Sequence, residues 1–331
     1  MKKVIFTLSF AALTLLSACN DGDLVYNDID FSKNTTVNKC STTGAEKVHY
    51  KIQDKEALLL LIDTNNLMAD PTTKLVDTPI DGTNTSLEYR KYSDKLSQEN
   101  ICKIPAPAFP NVTTSIHASP GGTVRTERVI HVKENANNSS GLTYQYAFTL
   151  LNVNFQEGDT NIKYDKMFFG TYTYDARTLD FKFTNTDNTL KELNSCNDQY
   201  IALSDKEALF INLSLADLPT EETTTAKIIN LGQDKTATFK QYRKAGINID
   251  QVCANSGNIP GSNDNNINHL QELWIANEGQ ISINSRRAIL GNGEEGKLIH
   301  EITLVNALFI KDQFADKVIQ KNNIILGQIA Q

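Results

Sequence analysis

The sequence predicts an all-β protein made of two tandem β-sandwiches of the immunoglobulin-like kind, which arose by internal duplication. The pentapeptide Asp54–Leu58 returns as Asp205–Leu209, 151 residues later. A period of about 150 residues suits a duplicated domain better than a solenoid repeat. Segments of alternating apolar and polar residues are separated by turns rich in Gly, Asn, Asp and Thr, which is typical of a sandwich. A single closed barrel is the weaker alternative.

Further features return at nearly the same offset, which defines the two halves of the chain. The predicted domains are residues 24–175 and residues 176–331, preceded by a leader at 1–18 and a tether at 19–23. The matched features are Tyr89-Arg90-Lys91 with Tyr242-Arg243-Lys244, Cys102 with Cys253, Ile104-Pro105 with Ile259-Pro260, and Thr149-Leu150 with Thr303-Leu304.

The N-terminal segment predicts a lipoprotein signal peptide. Lys2-Lys3 is followed by an apolar stretch from Val4 to Leu16, which is too short to span a ~30 Å hydrocarbon core comfortably. The segment ends in Leu16-Ser17-Ala18-Cys19, which resembles the bacterial lipobox. We therefore expect Cys19 to be lipidated and to anchor the protein to a membrane face. The alternative is an ordinary secretory signal with a coincidental cysteine.

The residues after Cys19 bear on localisation. Asn20-Asp21-Gly22-Asp23 is a short acidic run that resembles the surface-export signal of Bacteroidota lipoproteins. We therefore expect an outer-membrane lipoprotein exposed at the cell surface, with the periplasmic face as the alternative. The folded part should lie close to the membrane, because strand-like sequence begins near Leu24.

The duplicated pentapeptide is interpreted as the start of a strand. Ala57–Ile62 is a continuous apolar run that fits either a buried strand or a helical turn. In the second half, apolar residues at 209, 211, 213 and 215 alternate with other side chains, which indicates a half-buried strand. Both copies are therefore predicted to be strands.

The remaining segments of each half complete the sandwich. A loop is predicted from Asp70 to Thr85, and irregular structure is predicted around Cys102 and Cys253, where Gly246 disfavours a helix. Alternating strands follow, and each half closes with a short apolar strand, at Met167–Tyr174 and at Ile324–Ile329.

The cysteines predict two disulfide bonds. With Cys19 lipidated, four remain, and sequence alone allows three connectivities. The duplication favours pairing within each half, Cys40–Cys102 and Cys196–Cys253, whose members are 62 and 57 residues apart. Disulfides persist outside the cytoplasm, where an exported protein resides. No C-x-x-C motif or Cys/His cluster indicates a zinc site.

The net charge and the absence of known catalytic motifs restrict the classes of function that the sequence allows. With 32 basic and 39 acidic residues the net charge is −7, which disfavours nucleic acid as a partner. The sequence contains no G-x-S-x-G, H-E-x-x-H, P-loop or G-x-G-x-x-G motif. No catalytic residue, metal ligand or cofactor is therefore predicted. His300 and Trp274 are interpreted as buried, and Asp54, Glu56 and their counterparts as turn and strand-edge residues.

These residues together resemble a group of uncharacterised flavobacterial lipoproteins. The resemblance covers essentially the whole mature chain and implies a family without an assigned activity. The second half repeats the features of the first and has Trp274 followed by Gly279 in addition. The features that carry the resemblance are Cys19–Asp23, Asp30-Phe31, Cys40, the Glu56-Ala57-Leu58 strand, and Tyr89-Arg90 before Cys102.

The sequence therefore predicts a lipid-anchored envelope protein that acts as a binding or structural module. Its expected partners are the membrane, through the N-terminal lipid, and a glycan or an envelope protein. The alternative function is a hydrolase of envelope or environmental polysaccharide, in which two carboxylates from loop ends would act together.

Overall fold

The computed structural model describes residues 29–64, 73–157, 160–196, 198–254, 270–291, 293–311 and 314–331. Cys19, Leu24 and the acidic run lie outside the described residues. Within these ranges the chain forms antiparallel sheets with two short α-helices, and no sheet closes into a barrel. The predicted all-β sandwich class is therefore confirmed.

The first half consists of two antiparallel sheets packed face to face. One sheet has the strand order β1-β2-β3-β5-β6, and the other has the order β4-β7-β8-β9. A buried apolar cluster from both sheets fills the space between them. The elements are β1 (Asn38–Lys39), β2 (Val48–Gln53), β3 (Glu56–Leu61), β4 (Leu75–Pro79), β5 (Ser86–Tyr92), α1 (Gln98–Cys102), β6 (Val112–His117), β7 (Thr123–Glu134), β8 (Ser140–Glu157) and β9 (Thr160–Leu179).

The second half forms one continuous sheet of eight strands. Its order is β10-β11-β12-β14-β15-β16-β17, and β13 pairs with the later part of β15. A single 3-10 turn lies at Leu215–Asp217. The elements are β10 (Asn194–Cys196), β11 (Gln199–Leu203), β12 (Glu207–Ile211), β13 (Lys227–Asn230), β14 (Ala237–Tyr242), α2 (Ile249–Ala254), β15 (Leu270–Ile289), β16 (Glu295–Lys311) and β17 (Phe314–Ala330).

The same succession of strand pairings occurs in both halves. β2, β3 and β5 pair as β11, β12 and β14 do, and β4 pairs with β7 as β13 pairs with β15. In the second half the long strand β15 takes the positions that β6 and β7 occupy in the first. This repeated order is what the predicted duplication requires, although the common origin of the halves stays a prediction.

Strand register corrects one of the sequence matches. Glu56 pairs with Lys91, and Glu207 pairs with Gln241. The counterpart of Tyr242 is therefore Tyr92 rather than Tyr89. The backbone N–H of each tyrosine donates a 2.8 Å hydrogen bond to the lysine carbonyl of the duplicated pentapeptide.

Two glycines hold the same close contact in the two halves. Gly170 (φ 138°) and Gly327 (φ 146°) lie where the chain before β1 or β10 crosses the last strand of its half. The next residues, Thr171 and Gln328, donate 2.8 Å backbone hydrogen bonds to Thr35 and to Lys191. A Cβ at either glycine would overlap that same carbonyl oxygen. Glycine is required here by both conformation and space.

Both faces of β3 and β12 are buried, which explains the unbroken apolar run in the sequence. Leu58 and Leu60 face the core between the sheets, whereas Ala57 and Leu59 face a second cluster that includes both cysteines of the first half. In β12, Phe210 is likewise covered on the outer face and is 6% exposed. The expectation of a half-buried strand in the second half was therefore wrong.

The segments at the second cysteine of each half are helical, which corrects the prediction of irregular structure. Ser97 caps α1 through its backbone N–H, which donates to Asn100 Oδ1 at 2.9 Å. Asn248 caps α2, because its side-chain oxygen accepts the N–H of Gln251 at 2.9 Å. Gly246 precedes this cap and so does not interrupt the helix.

Two other segments differ from expectation. The described part of the predicted loop from Asp70 to Thr85 contains β4. The closing strands are long, because β8 pairs with β9 from Ser140↔Leu179 to Glu157↔Thr160 and β16 pairs with β17 over a similar length. The β8–β9 hairpin forms half of the four-stranded sheet in the first half, and the β16–β17 hairpin forms the end of the continuous sheet in the second.

The cores of the two halves meet. Ile130, Leu142 and Tyr144 belong to the first half but pack into the main apolar cluster of the second. The predicted boundary at residues 175 and 176 lies inside β9, whose last residue Leu179 is fully buried in that cluster. The halves therefore contact each other through a buried surface rather than through an exposed linker.

Candidate functional site

The predicted disulfides are present and hold the helices against the sheets. Cys40 bonds to Cys102 with a Cα–Cα distance of 5.4 Å, and Cys196 bonds to Cys253 with a distance of 6.2 Å. Each bond joins the edge of a sheet, at β1 or β10, to a short helix, and the bonded cysteines belong to or pack against an apolar cluster that covers β3 or β12. The cysteines therefore serve the fold. Cys19 lies outside the described residues, so its lipidation stays a prediction.

The duplicated acidic residues have structural partners. Asp54 (φ 51°) forms the turn between β2 and β3, and Asp205 accepts the N–H of Gly246 at 2.9 Å. Glu56 accepts the hydroxyl of Tyr89 at 2.7 Å. Glu207 is 2% exposed and accepts the backbone N–H groups of residues 180 and 181. The contacts of Asp54, Asp205 and Glu56 agree with the interpretation of turn and strand-edge groups, whereas Glu207 is buried, so its interpretation as a solvated strand-edge group was wrong.

Ser285 and His300 lie as close together as a catalytic serine and its general base would. Ser285 Oγ lies 2.8 Å from His300 Nδ1, and His300 Nε2 lies 3.2 Å from the side-chain oxygen of Gln331. The serine is 3% exposed and the histidine 0%. A nucleophile must be reached by its substrate, so this pair is a buried polar contact of the core. The expected burial of His300 and of Trp274, which is 0% exposed, is confirmed.

The described residues contain no group of three His, Cys, Asp or Glu side chains that could hold a metal ion. His117 Nε2 lies 3.7 Å from Glu88, whereas His131 bonds to Gln145 at 3.0 Å. His117 and His131, which lie on either side of the turn at Pro120-Gly121-Gly122, therefore have separate partners.

A buried charge cluster joins the two halves at Glu272. This carboxylate is 0% exposed. It accepts hydrogen bonds from Tyr144 Oη at 2.5 Å, Arg177 at 2.6 Å, Lys311 at 2.6 Å and Trp274 Nε1 at 3.2 Å. The tyrosine and the arginine belong to the first half, and the other groups belong to the second.

The charges in this cluster are balanced and desolvated. Arg177 also pairs with Asp175 at 2.7 Å. Burial alone would lower the pKa of Arg177, but the carboxylates of Glu272 and Asp175 outweigh it and raise the pKa. Burial raises the pKa of Tyr144, and the neighbouring Glu272 raises it further. Every group has a partner, so the cluster acts as an interlock between the halves rather than as an open reactive site.

The open site of the second half is a groove lined by amide side chains, called here the amide groove. It is a shallow, open depression with a volume of 530 Å³. Its amides are Asn230, Asn277, Gln280, Asn306 and Gln320, and its other side chains are Leu231, Glu278 and Leu308.

Irregular strand pairing creates the amide groove. The register between β15 and β16 shifts on both sides of Glu278, and Asn306 on β16 adopts φ 49°. Gly279 (φ 119°) allows the strands to approach, because a Cβ there would lie 2.7 Å from Ala307 Cα. Bulges of this kind redirect side chains and are common beside binding sites. Here they turn residues 277 and 278 outward, where both are exposed.

The groove offers donors and acceptors that the protein does not use. Gln280 Nε2 donates to Asn230 Oδ1 at 3.1 Å. Within the described part of the chain, the amides of Asn277, Asn306 and Gln320 make no hydrogen bond to protein. Each amide carries two N–H donors and an acceptor oxygen, which suits neutral groups that both donate and accept. Leu231 and Leu308 add an apolar surface between these amides.

Sequence reasoning did not find this groove, because its residues come from β13, β15, β16 and β17. One local signal was available. Asn277-Glu278-Gly279-Gln280 is a polar interruption of an otherwise apolar, alternating strand. A glycine inside a strand pattern indicates a bulge, and exposed polar residues beside a bulge indicate a site.

Comparisons with known proteins identify no relative. No protein-family model, no curated protein and no solved structure matches the chain. Among the described residues, no helix is long and apolar enough to cross a membrane.

Proposed function

We propose that this protein is a lipid-anchored binding module of the cell envelope, held at the outer membrane through Cys19, and that its amide groove binds a glycan. The observation that carries the ligand class is the set of five amides around one open groove. Sugar hydroxyls both donate and accept hydrogen bonds, as amides do. The volume of 530 Å³ lies within the ~300–1,000 Å³ of typical small-molecule sites.

The location rests on two supports. The first is the lipobox-like sequence that ends at Cys19, with the acidic run after it. The second is the pair of disulfides, which belong to an oxidising compartment outside the cytoplasm. Exposure at the cell surface, rather than on the periplasmic face, is the orientation that would bring the groove to environmental glycans.

Binding is favoured over hydrolysis by the composition of the groove. Glycoside hydrolysis requires two carboxyl groups about 5–9.5 Å apart around the scissile bond. Glu278 is the one carboxylate among the residues that line the amide groove. A single carboxylate among five amides suits recognition of hydroxyl groups better than cleavage.

A glycan array with the purified protein tests the ligand class. The Gln280→Leu/Gln320→Leu double variant should bind its best glycan about tenfold or more weakly, since each lost hydrogen bond contributes about 0.5–1.5 kcal/mol. Gln145→Leu is the matched control, because it removes an outward amide from the first half. Absence of any glycan ligand, or equal binding by the double variant, would refute the proposal.

A separate experiment tests the anchor. The protein should incorporate a fatty-acid label and fractionate with the outer membrane, whereas the Cys19→Ser variant should do neither. Surface exposure predicts that protease added to intact cells degrades the anchored protein. If Cys19→Ser still carries the lipid label, the anchoring proposal is wrong while the glycan proposal stands.

A further inference from the structure

The first half contains a second, partly open site around a buried lysine. A cavity of 210 Å³, called here the Lys51 cavity, lies at the end of the first half where the described chain begins. Apolar side chains form most of its wall, and Lys51 supplies a positive charge. The apolar residues are Ile29, Phe31, Leu58, Met167 and Phe168.

The ammonium group of Lys51 is incompletely satisfied. Lys51 is 1% exposed, and its Nζ donates a 2.8 Å hydrogen bond to the carbonyl oxygen of Phe31. The rings of Phe31 and Phe169 lie 5.9 Å from the nitrogen. An ammonium group carries three donors, so a single oxygen acceptor leaves two of them facing rings and cavity. No carboxylate among the described residues forms an ion pair with it.

Asp30 does not supply the missing charge. Its carboxylate is exposed and accepts the backbone N–H of Ser32 at 2.8 Å. Its charge attracts Lys51 and acts to raise the lysine pKa, but the two side chains form no ion pair. A charged group buried without a partner is costly, so the site is poised for an anion.

The second half contains another buried lysine, which comes from a different strand and does have a carboxylate partner. Lys321, also 1% exposed, lies over the ring of Phe181, which follows Asp180 as Phe31 follows Asp30. Lys321 forms an ion pair with Glu134, whose side chain reaches it from the β7–β8 hairpin of the first half. The glutamate side chain remains 42% exposed, so the carboxylate approaches from the surface. In the first half, no described residue takes the place of this glutamate.

We infer that the Lys51 cavity binds a small organic acid, with the carboxylate on Lys51 and an apolar stem against Ile29, Leu58 and Met167. This site is independent of the amide groove and lies in the other half of the chain. A charge-assisted hydrogen bond to Lys51 would be shorter and stronger than the existing bond to a neutral carbonyl. At ~30 Å³ per water, the cavity has room for about seven water-sized groups, which fits an acid of about eight non-hydrogen atoms.

The affinity should depend on pH through the lysine. Burial lowers the pKa of Lys51 to about 8. The other ionisable groups that face the cavity are Asp30, from the first described segment, and the Tyr164 hydroxyl, which bonds to the backbone of Ile29. An anion that binds only the ammonium form keeps its affinity below pH 7 and loses about tenfold per pH unit above pH 8.

Calorimetric titration of the full-length mature protein with hexanoate tests the inference. Hexan-1-ol is the neutral control, and N-acetylglycine, with the same number of non-hydrogen atoms, represents a peptide carboxyl terminus. Hexanoate should bind at least about tenfold more tightly than hexan-1-ol at pH 6.5, and Lys51→Met should abolish the difference. If N-acetylglycine binds more tightly than hexanoate, Lys51 still binds a carboxylate, and the natural ligand is the carboxyl terminus of a peptide.

Two further measurements keep the test decisive. Met167→Trp fills the cavity while leaving Lys51 in place, so it should also abolish hexanoate binding. This variant replaces Lys51→Met as the test if Lys51→Met does not fold. Wild-type affinity should fall tenfold between pH 8.5 and 9.5. The inference is overturned if neither acid binds at 10 mM and pH 6.5, or if hexan-1-ol binds as tightly as hexanoate. It is also overturned if the affinity for hexanoate does not change with pH.

Discussion

Glu207 should give this protein a stability term that disappears above neutral pH. The residue begins β12 and is 2% exposed. Its Oε1 accepts the N–H of Asp180 at 2.8 Å and the amide of Gln241 at 3.2 Å, and its Oε2 accepts the N–H of Phe181 at 3.1 Å. Hydrogen bonds from these neutral donors favour the carboxylate but offset only part of the cost of burying its charge, and the nearby charge of Asp180 adds to that cost. Burial raises the pKa of Glu207 to about 7.

The magnitude follows from the difference between the folded and unfolded pKa values. A shift from 4.5 to about 7 corresponds to roughly 3 kcal/mol at about 1.4 kcal/mol per pH unit. Because the folded pKa is raised, the protonated acid is favoured in the folded protein. The stabilisation is fully present below pH 4.5 and is lost as the pH rises through 7.

His49 titrates in the opposite sense over an overlapping range. Burial, together with the nearby charge of Lys39, lowers the pKa of His49 to about 4. Its Nδ1 donates to the carbonyl of Lys47 at 3.2 Å, while Nε2 has no partner among the described atoms. The stability that neutral His49 provides is present above pH 6.5 and is lost as the pH falls towards 4. Between pH 4.5 and 6.5 the two slopes partly cancel in the wild-type protein.

The assay is urea unfolding of the wild-type and Glu207→Gln proteins at steps from pH 4 to pH 8. The free energy of unfolding of the variant, minus that of the wild type, should rise by roughly 3 kcal/mol across this range. His49→Leu serves as the reference, because its difference from the wild type should change with the opposite sign. A Glu207→Gln difference that stays constant within 0.5 kcal/mol would refute the reasoning.

Three further predictions concern the structural contacts. Glu272→Gln should reduce the free energy of unfolding by roughly 3–5 kcal/mol, because Lys311 loses its carboxylate partner and Arg177 keeps only Asp175, whereas Glu301→Gln in an exposed pair should cost under about 1 kcal/mol. In thermal unfolding, Gly327→Ala should be destabilising by about 1–3 kcal/mol, whereas Gly232→Ala, where an added Cβ meets nothing within 4 Å, should change little. Serine at both Cys40 and Cys102 should cost about 4 kcal/mol in denaturant titrations, and a loss below 1 kcal/mol would contradict a stabilising bond.

Local pattern predicted the strands and the disulfides well. Alternation and apolar runs located β3, β12 and the paired strands of the second layer, because burial on a sheet face requires that period. The repeat selected the correct connectivity among three. The helices α1 and α2 were missed, because each is a short turn held by a cap and a disulfide rather than by amphipathic periodicity.

The candidate sites could not be predicted from local pattern. The Glu272 cluster combines Tyr144, Arg177 and Lys311, which are more than 100 residues apart at the extremes and meet only where the halves pack. The amide groove likewise draws on four strands. Outward polar residues on a strand look alike in sequence, and only the bulges at Glu278 and Asn306 bring these five together.

The sequence by itself determined the β-strand class, the repeated order of elements and the cysteine pairing, because each follows from residue period and spacing along the chain. Tertiary structure decided which charges are buried. Lys51 and Lys321 are both lysines in apolar strands, yet packing of the halves gives Lys321 the carboxylate of Glu134 and leaves Lys51 facing a cavity. That difference arises from contacts between distant segments, which no local pattern encodes.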